Sequence, residues 1–587
     1  MAIKYCDFNN GLDYYDLDAW AVNTSYVVDD LVKNNSKRYK CIQAHTSSAD
    51  DEPGVGANWE TYWTLEADGT ASKPFKTITD ASRGLTGGDE VRVAKSPDPT
   101  DLTGTLDFTL GSTTVTGTGT SFTTELAAND FIKGADGFWY EVTSITSDTQ
   151  LTLYKAYAGD SASGVSSQKL GITSTGTAGS STEHVQEVMS AGSSSASRLK
   201  ISGGWDLSTE TQTGQTYFRQ AGSNRYGFGL YISAKSYLEI EKVSFLRYYY
   251  GIYTVNTCNY IKYETVFVGG IATYGIEQAS ASTNWEMNNV DAVCVNNDSI
   301  RLPGSNHTIS NINTRSSGSF YITADESSFS NCVLRKAYLN LNGDKNSFSS
   351  LTIEHAGYHG LNINQSYHNY FIDLTVSNSG VNNHGIYLYD SRCNTFVNVT
   401  CNNNGGYGIY LYSNSYNNKF YRYSGTGNSS GDIYWANVSY ADWGEHPIYM
   451  MQHFKAADDN RTQYQYGLIK CDTANARSGK CLQITPSDAD NYVKQTFLFP
   501  VNDGDTPTVS LYIKKNSSFN GSVRAALYFL GKRIDGWDDI TPTQVDTYEQ
   551  KSLVVPANEI DEQGTLELKI ECKGTAGDIF IDDIGFG

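Results

Sequence analysis

From Gly229 to Trp435 the chain repeats a short apolar phrase opened by glycine: Gly229-Leu-Tyr-Ile, Gly251-Ile-Tyr, Gly275-Ile-Glu, Gly360-Leu-Asn-Ile, Gly385-Ile-Tyr-Leu, Gly408-Ile-Tyr-Leu and Gly431-Asp-Ile-Tyr-Trp. Neighbouring copies lie about 23 residues apart, with degenerate copies near Ser299, Ser319 and Ala337. Short alternating segments at such a period, without a helical stretch, predict a β-solenoid in which each repeat is one coil. A second phrase keeps step: Asn346-Ser-Phe-Ser-Ser-Leu-Thr-Ile, Asn369-Tyr-Phe-Ile-Asp-Leu-Thr-Val, Asn394-Thr-Phe-Val-Asn-Val-Thr-Cys and Asn418-Lys-Phe. Strand side chains alternate faces, so Leu351/Ile353, Leu374/Val376 and Val399/Cys401 are expected inside and Thr352, Thr375 and Thr400 outside. Phe348, Phe371, Phe396 and Phe420 should then form one column, and the asparagines before them a ladder of mutually hydrogen-bonded amides.

Composition narrows the class. The chain has 587 residues, 42 Tyr and 54 Gly, which fits a modular all-β protein. Its net charge of -21 argues against a nucleic-acid partner, which would need a basic stripe. No apolar run of about 18 residues predicts membrane insertion, and no basic-then-apolar leader follows Met1. Cys258, Cys294, Cys332, Cys393 and Cys401 read as reduced fillers of the solenoid, whereas Cys471 and Cys481 flank a hairpin-like stretch where pairing is open.

Resemblances extend the reading to the flanks. Trp20, Tyr26, Tyr39, Cys41, His45, Pro53, Trp59 and Trp63 form a pattern that resembles small chitin- and cellulose-binding modules, which implies Trp59 and Trp63 as sugar-stacking rings unless they form the module's core. Asp68-Gly-Thr through Lys73-Pro-Phe-Lys-Thr-Ile resembles the opening coil of pectate-lyase-like right-handed parallel β-helices, which implies a capping helix from Ile78 to Leu85. Gly111-Ser-Thr-Thr-Val-Thr-Gly and Trp139-Tyr-Glu-Val-Thr resemble a small β-barrel inserted in bacteriophage tail proteins. Gly577-Asp-Ile-Phe-Ile-Asp-Asp-Ile resembles the last strand of carbohydrate-binding jelly rolls, where Asp578, Asp582 and Asp583 would suit calcium, although no cofactor is required.

The expected architecture is therefore an all-β chain. It comprises a carbohydrate-binding-like module at 1–66, a β-helix start and cap at 67–102, an inserted barrel at 103–170, a right-handed parallel β-helix of about ten or more coils at 171–447, and a β-sandwich (jelly roll) at 448–587. It resembles a bacteriophage tailspike, which implies binding and depolymerisation of a bacterial surface polysaccharide by lyase or hydrolase chemistry. The same resemblance implies a homotrimer attached to a tail or baseplate and a virion or extracellular location without a signal peptide. A non-catalytic receptor-binding adhesin and a bacterial polysaccharide lyase are the alternatives.

Alignment on the phenylalanine column places Arg315, Arg335, Glu354, Ser377 and Asn402 at one outward position of successive coils, with His355, His359 and His384 nearby. Arginine, glutamate and histidine together can neutralise a uronate, abstract a proton and protonate a leaving oxygen. Glu354, His355, Arg335, His359 and His384 are thus the expected catalytic set, with Arg315, Asp373, Tyr358, Tyr387 and Tyr410 in substrate binding. A solvated ion pair is the plain alternative for Arg335 and Glu354. The tyrosine column Tyr231, Tyr253, Tyr321, Tyr387, Tyr410 and Tyr434 fits either a glycan strip or a subunit interface.

Overall fold

A computed structural model describes the chain except residues 13–16, 176–185, 223, 280–281, 317, 414, 416–417, 437–461, 465–466, 473–480, 487, 502–505, 530–531, 535, 557–558, 561–563 and 587. The chain is all-β with a parallel solenoid of about nine turns and short helices only. It divides into two compact units, Met1–Leu339 and Asn340–Gly587.

In the first unit the long sheet stacks Ile3–Cys6, Glu90–Ala94, Leu199–Asp206, Leu238–Glu241, Ile261–Gly269, Glu286–Val293, Thr308–Arg315 and Ser328–Arg335 in that order. The parallel second sheet stacks Phe228–Ser233, Tyr250–Val255, Tyr274–Gln278, Ile300–Ser305 and Ser319–Asp325. The glycine of the repeated phrase has a packing reason: a Cβ on Gly251 would fall 2.3 Å from the carbonyl oxygen of Gly275 in the next coil. The short helix Ile78–Ser82 forms within the expected stretch. Thr77 caps it by accepting the Asp80 N–H, and Ile78 and Ala81 are buried.

Strands between Thr100 and Lys169 form a separate eight-stranded antiparallel sheet around Leu106, Phe108, Phe131 and Tyr140. That core is shared with the solenoid residues Leu246, Phe267 and Val293, so the insert is fused to the long sheet by apolar contact. Glu141 fixes the orientation. It is 1% exposed, accepts both Arg225 Nη2 contacts at 2.7 Å and takes Arg247 Nε at 2.8 Å. Two guanidinium groups on one buried carboxylate compensate charges that would otherwise be costly to desolvate. At the N-terminus, Leu31–Asn34, Lys37–Cys41 and Trp63–Ala67 make a three-stranded sheet around Tyr26, Val32, Tyr39, Cys41 and Trp63.

In the second unit the long sheet stacks Ser347–Glu354, Tyr370–Ser377, Thr395–Asn402 and Lys419–Thr426, with Leu351, Leu374 and Val399 in one column and Ile353, Val376 and Cys401 in another. The four phenylalanines stack with ring centroids 4.7, 4.8 and 4.5 Å apart. Asn369 Nδ2 donates to Asn394 Oδ1 and Asn394 Nδ2 to Asn418 Oδ1, both at 3.0 Å, while each Oδ1 also takes the backbone N–H of the preceding asparagine. The ladder therefore satisfies buried polar groups that water cannot reach. Beyond it, a six-stranded and a five-stranded antiparallel sheet enclose Ile484, Leu511, Leu527, Leu568 and Ile581. The expected boundary at 447/448 lies outside the described residues. No helix among the described residues is long and apolar enough to cross a membrane.

Candidate functional site

The residues singled out from sequence fall into separate settings. Arg315 and Arg335 are register partners on the long sheet of the first unit, but both turn to the inserted barrel. Arg315 stacks over Phe138 at 4.5 Å with Nε 3.8 Å from Asp136, and Arg335 pairs with Asp160. Their side chains are about one-tenth exposed, so they serve as fasteners of the insert. In the second unit Glu354, Ser377 and Asn402 share one register position. His355 follows Glu354 at a bend with φ 54°, and exposed Asp373, φ 55°, accepts the Asn398 amide at 2.8 Å.

His359 and His384 are brought together, as ladder members. Their rings stack at 4.9 Å and 4°, with Tyr387 4.5 Å from His359 and Tyr410 4.2 Å from His384. His359 Nδ1 accepts the His384 N–H at 2.9 Å, and His384 Nδ1 accepts the Tyr407 N–H at 3.0 Å. Each Nδ1 must then be unprotonated, with the proton on Nε2. Burial pushes both imidazoles down to about 4, and for His359 the neighbouring His384 adds to the shift. Rings stacked this closely spend their faces on one another and leave only edges outward, which suits hydroxyl contacts better than a sugar lying on Tyr387 or Tyr410. Tyr358, 47% exposed, leans on His359 at 4.4 Å.

The first unit holds a constellation that the sequence reading missed. On its second sheet two aromatic ladders run along the coils, Phe228–Tyr250–Tyr274 and Tyr231–Tyr253. Glu277 succeeds Tyr253 in register and is followed by Arg301 and Tyr321. Asp298 lies beside the Tyr274 end, its carbonyl accepting the Gly275 N–H at 3.1 Å. Arg301 Nη1 is 3.3 Å from Glu277 Oε1 and 3.5 Å from the Tyr274 hydroxyl, and its guanidinium lies 5.5 Å from the ring centres of both Tyr274 and Tyr321. Ser319 Oγ donates to Asp298 Oδ1.

Burial raises the Glu277 carboxyl to about 7; Arg301 opposes that shift and Asp298 adds to it. Asp298 is raised as well, again chiefly by burial. Glu277 Oε2 is buried without a hydrogen-bond partner, whereas Arg301 above it keeps its side chain 40% exposed. A carboxyl half-protonated near neutrality, a second carboxylate and a partly exposed cation beside aromatic rings are the components of acid–base chemistry on a glycan. The signal was present in the repeat: Gly275-Ile-Glu277 and Ser299-Ile-Arg301 put charge where the phrase otherwise carries tyrosine.

At the N-terminus Trp63 is 1% exposed and packs edge-on against Tyr26 and His45, which corrects its assignment as a stacking ring: no face is left for a sugar. Trp59 is partly buried against the same core and meets Tyr39 edge-on. In the terminal sandwich Asp578 accepts from Asn516 Nδ2 at 2.8 Å and from Thr485, and Asp582 is 4% exposed. The side chains of Asp583, Cys471 and Cys481 lie outside the described residues. Among the described residues no three His, Cys, Asp or Glu side chains converge on one point.

Residues 19–64 match carbohydrate-binding module family 5/12. Over 45 residues the chain is 51% identical to chitinase A1 of Niallia circulans, a stretch that covers 8% of this chain and 6% of that enzyme's length. Similar solved folds include the Dettilon tailspike protein (11% identity, 66% of this chain and 85% of that one, TM-score 0.31). The enzymatically active domain of bacteriophage CBA120 tailspike protein 4 is another (11%, 97% and 88%, 0.24). A third is an alginate lyase from Paenibacillus sp. str. FPU-7 (11%, 63% and 97%, 0.29). The module match supports polysaccharide binding.

Proposed function

We propose that this chain is a virion tail protein that binds a bacterial surface polysaccharide and hydrolyses it at the Glu277–Asp298–Arg301 cluster. The observation that carries the reading is the Glu277 carboxyl raised to about 7 beside a second raised carboxylate, where two tyrosine ladders end. Protonated Glu277 gives its proton to the leaving glycosidic oxygen as the C–O bond breaks. Asp298 takes a proton from the water whose hydroxyl joins the anomeric carbon. Arg301 must swing aside for Glu277 to touch the glycan, and its exposure permits that movement. The module at 19–64 supplies carbohydrate affinity, and the phage-like sequence of the insert supports the tail location and, with it, trimeric assembly.

Elimination is the second reading, favoured by Arg301, whose guanidinium suits a uronate carboxylate. The test is incubation of the purified chain and its Glu277→Gln variant with capsular polysaccharides, following reducing ends and the absorbance of unsaturated uronates. Reducing ends alone, abolished by the substitution, support hydrolysis; both signals rising together support elimination. Glycans that bind uncut, or cutting indifferent to Glu277→Gln, would sink the reading and leave an adhesin.

A further inference from the structure

A second site lies away from Glu277, at the seam between the insert and the long sheet of the first unit. The hairpin turn between Phe131–Lys133 and Trp139–Ser147 overhangs the outward face of the coils, leaving a cleft of about 270 Å³. The column beneath it reads Phe267, Asp291, Asn313 in successive coils. Phe267 is absorbed into the insert's core, and the two polar residues after it lie in the floor of the cleft.

We infer that this cleft is a saccharide subsite for an uncharged sugar ring, with Trp139 and Tyr217 as its apolar wall and Gln215, Asn289, Asp291 and Asn313 as its polar contacts. The volume falls just under the ~300–1,000 Å³ of drug-sized sites, room for a small ring. Trp139 and Tyr217 both pack against the insert's apolar core, and Tyr217 meets Phe267 edge-on with ring centroids 6.4 Å apart, so the aromatic wall is held in place before a ligand arrives. Aromatic surface beside a few fixed amides and a carboxylate matches the apolar C–H face and the hydroxyl rim of a pyranose.

Charge decides which sugar. Asp136, at one edge, receives the Tyr140 hydroxyl at 2.7 Å and faces Arg315 at 3.8 Å. Arg315 is itself held on Phe138, so it offers little to an incoming anion. Asp291 accepts the neutral Asn313 amide at 2.9 Å. A uronate or sulfated sugar would therefore bring its anion against Asp291, whereas a neutral ring would donate hydroxyls to it.

The test is saturation-transfer NMR on the full chain with a panel of methyl glucoside, methyl galactoside and methyl mannoside set against glucuronate and galacturonate. A neutral glycoside is expected to bind, at least tenfold more weakly in Trp139→Ala and unchanged in Val381→Ser, an exposed position of the second unit. Asp291→Asn preserves shape and removes the charge, and should raise uronate affinity about tenfold, a gain that misfolding cannot mimic. Neutral binding that survives Trp139→Ala, no binding by any neutral glycoside, or uronates binding the unsubstituted chain as well as neutral sugars would overturn the proposal.

Discussion

The two units carry the same outward aromatic ladder with different endings. In the second unit the rings run unbroken, His359, Tyr387, His384 and Tyr410, and the Nδ1 atoms of His359 and His384 each accept a backbone N–H. In the first, the rings stop at Tyr253 and Tyr274, and Glu277 and Asp298 follow. The unbroken ladder answers its own polar groups and so holds neutral histidines. The broken one leaves Glu277 Oε2 buried without a partner and its carboxyl near 7. Chemistry in a repeat protein is best sought where the repeat fails, because identical neighbours satisfy one another and a lone departure cannot.

The largest effect expected from that contrast is on turnover. Glu277→Gln keeps the shape and removes the proton, so cleavage should fall about 100-fold or more, the usual worth of a general acid. Binding should be kept. His359→Gln, in the unbroken ladder, should leave turnover within about twofold. Comparable losses from both substitutions, in a reducing-end assay at saturating glycan, would erase the distinction.

Stability should respond the other way round. His384→Leu deletes the acceptor of the Tyr407 N–H and one ring of the stack, at a cost of about 1–3 kcal/mol for the orphaned donor. Glu277→Gln should keep or raise the melting temperature above pH 7, since it removes a charge that burial disfavours. Melting curves of the two variants at pH 8 decide this, and a Glu277→Gln protein less stable than His384→Leu would reverse the assignment of structural and chemical roles.

Much of this was legible in the residues and some was not. Strand alternation placed the Phe348 to Phe420 column and the amide ladder beside it, because both follow from a period of two and a fixed coil length. Arg315 and Arg335 were also placed correctly on one register position. Their partners were not, since Asp136 and Asp160 belong to an insert nearly two hundred residues earlier, and no periodicity reports such contacts. Four histidines cluster between His355 and His384 in the second unit, and two of them, His359 and His384, act there as hydrogen-bond acceptors. The glutamate in Gly275-Ile-Glu277 stands in the sequence as one more copy of the repeated phrase, because burial and the nearby Asp298 charge, which raise its pKa, are properties of the fold.

Acid should separate the ladders further, with opposite signs. His359 and His384 titrate near 4 when folded and near the ordinary 6.5 when unfolded, so the unfolded chain binds more protons between those values. Stability from them is present above 6.5 and is lost as pH falls toward 4. Glu277 titrates near 7 when folded against 4.5 when unfolded, so its contribution is full below 4.5 and is lost as pH rises through 7. Amide hydrogen exchange, corrected for intrinsic rate, should show protection at Tyr407 falling on acidification from 6.5 to 4, while the strand Tyr274–Gln278 gains protection from 7 to 4.5. A parallel fall at both places would mean that the two ladders are electrostatically alike.

The smallest effect tests whether ring edges matter. Tyr387→Phe keeps the stack with His359 and removes only a hydroxyl at the outward edge, so stability should change by less than about 0.5 kcal/mol. Because stacked faces are closed to a pyranose, a sugar reaching this ladder has only such hydroxyls to bind. If the second-unit ladder contributes to glycan affinity, Tyr387→Phe should weaken retention on immobilised polysaccharide by about two- to threefold without changing cleavage at Glu277. Retention that is unchanged would leave this ladder a purely structural column, and would confine carbohydrate contact to the N-terminal module and the first unit.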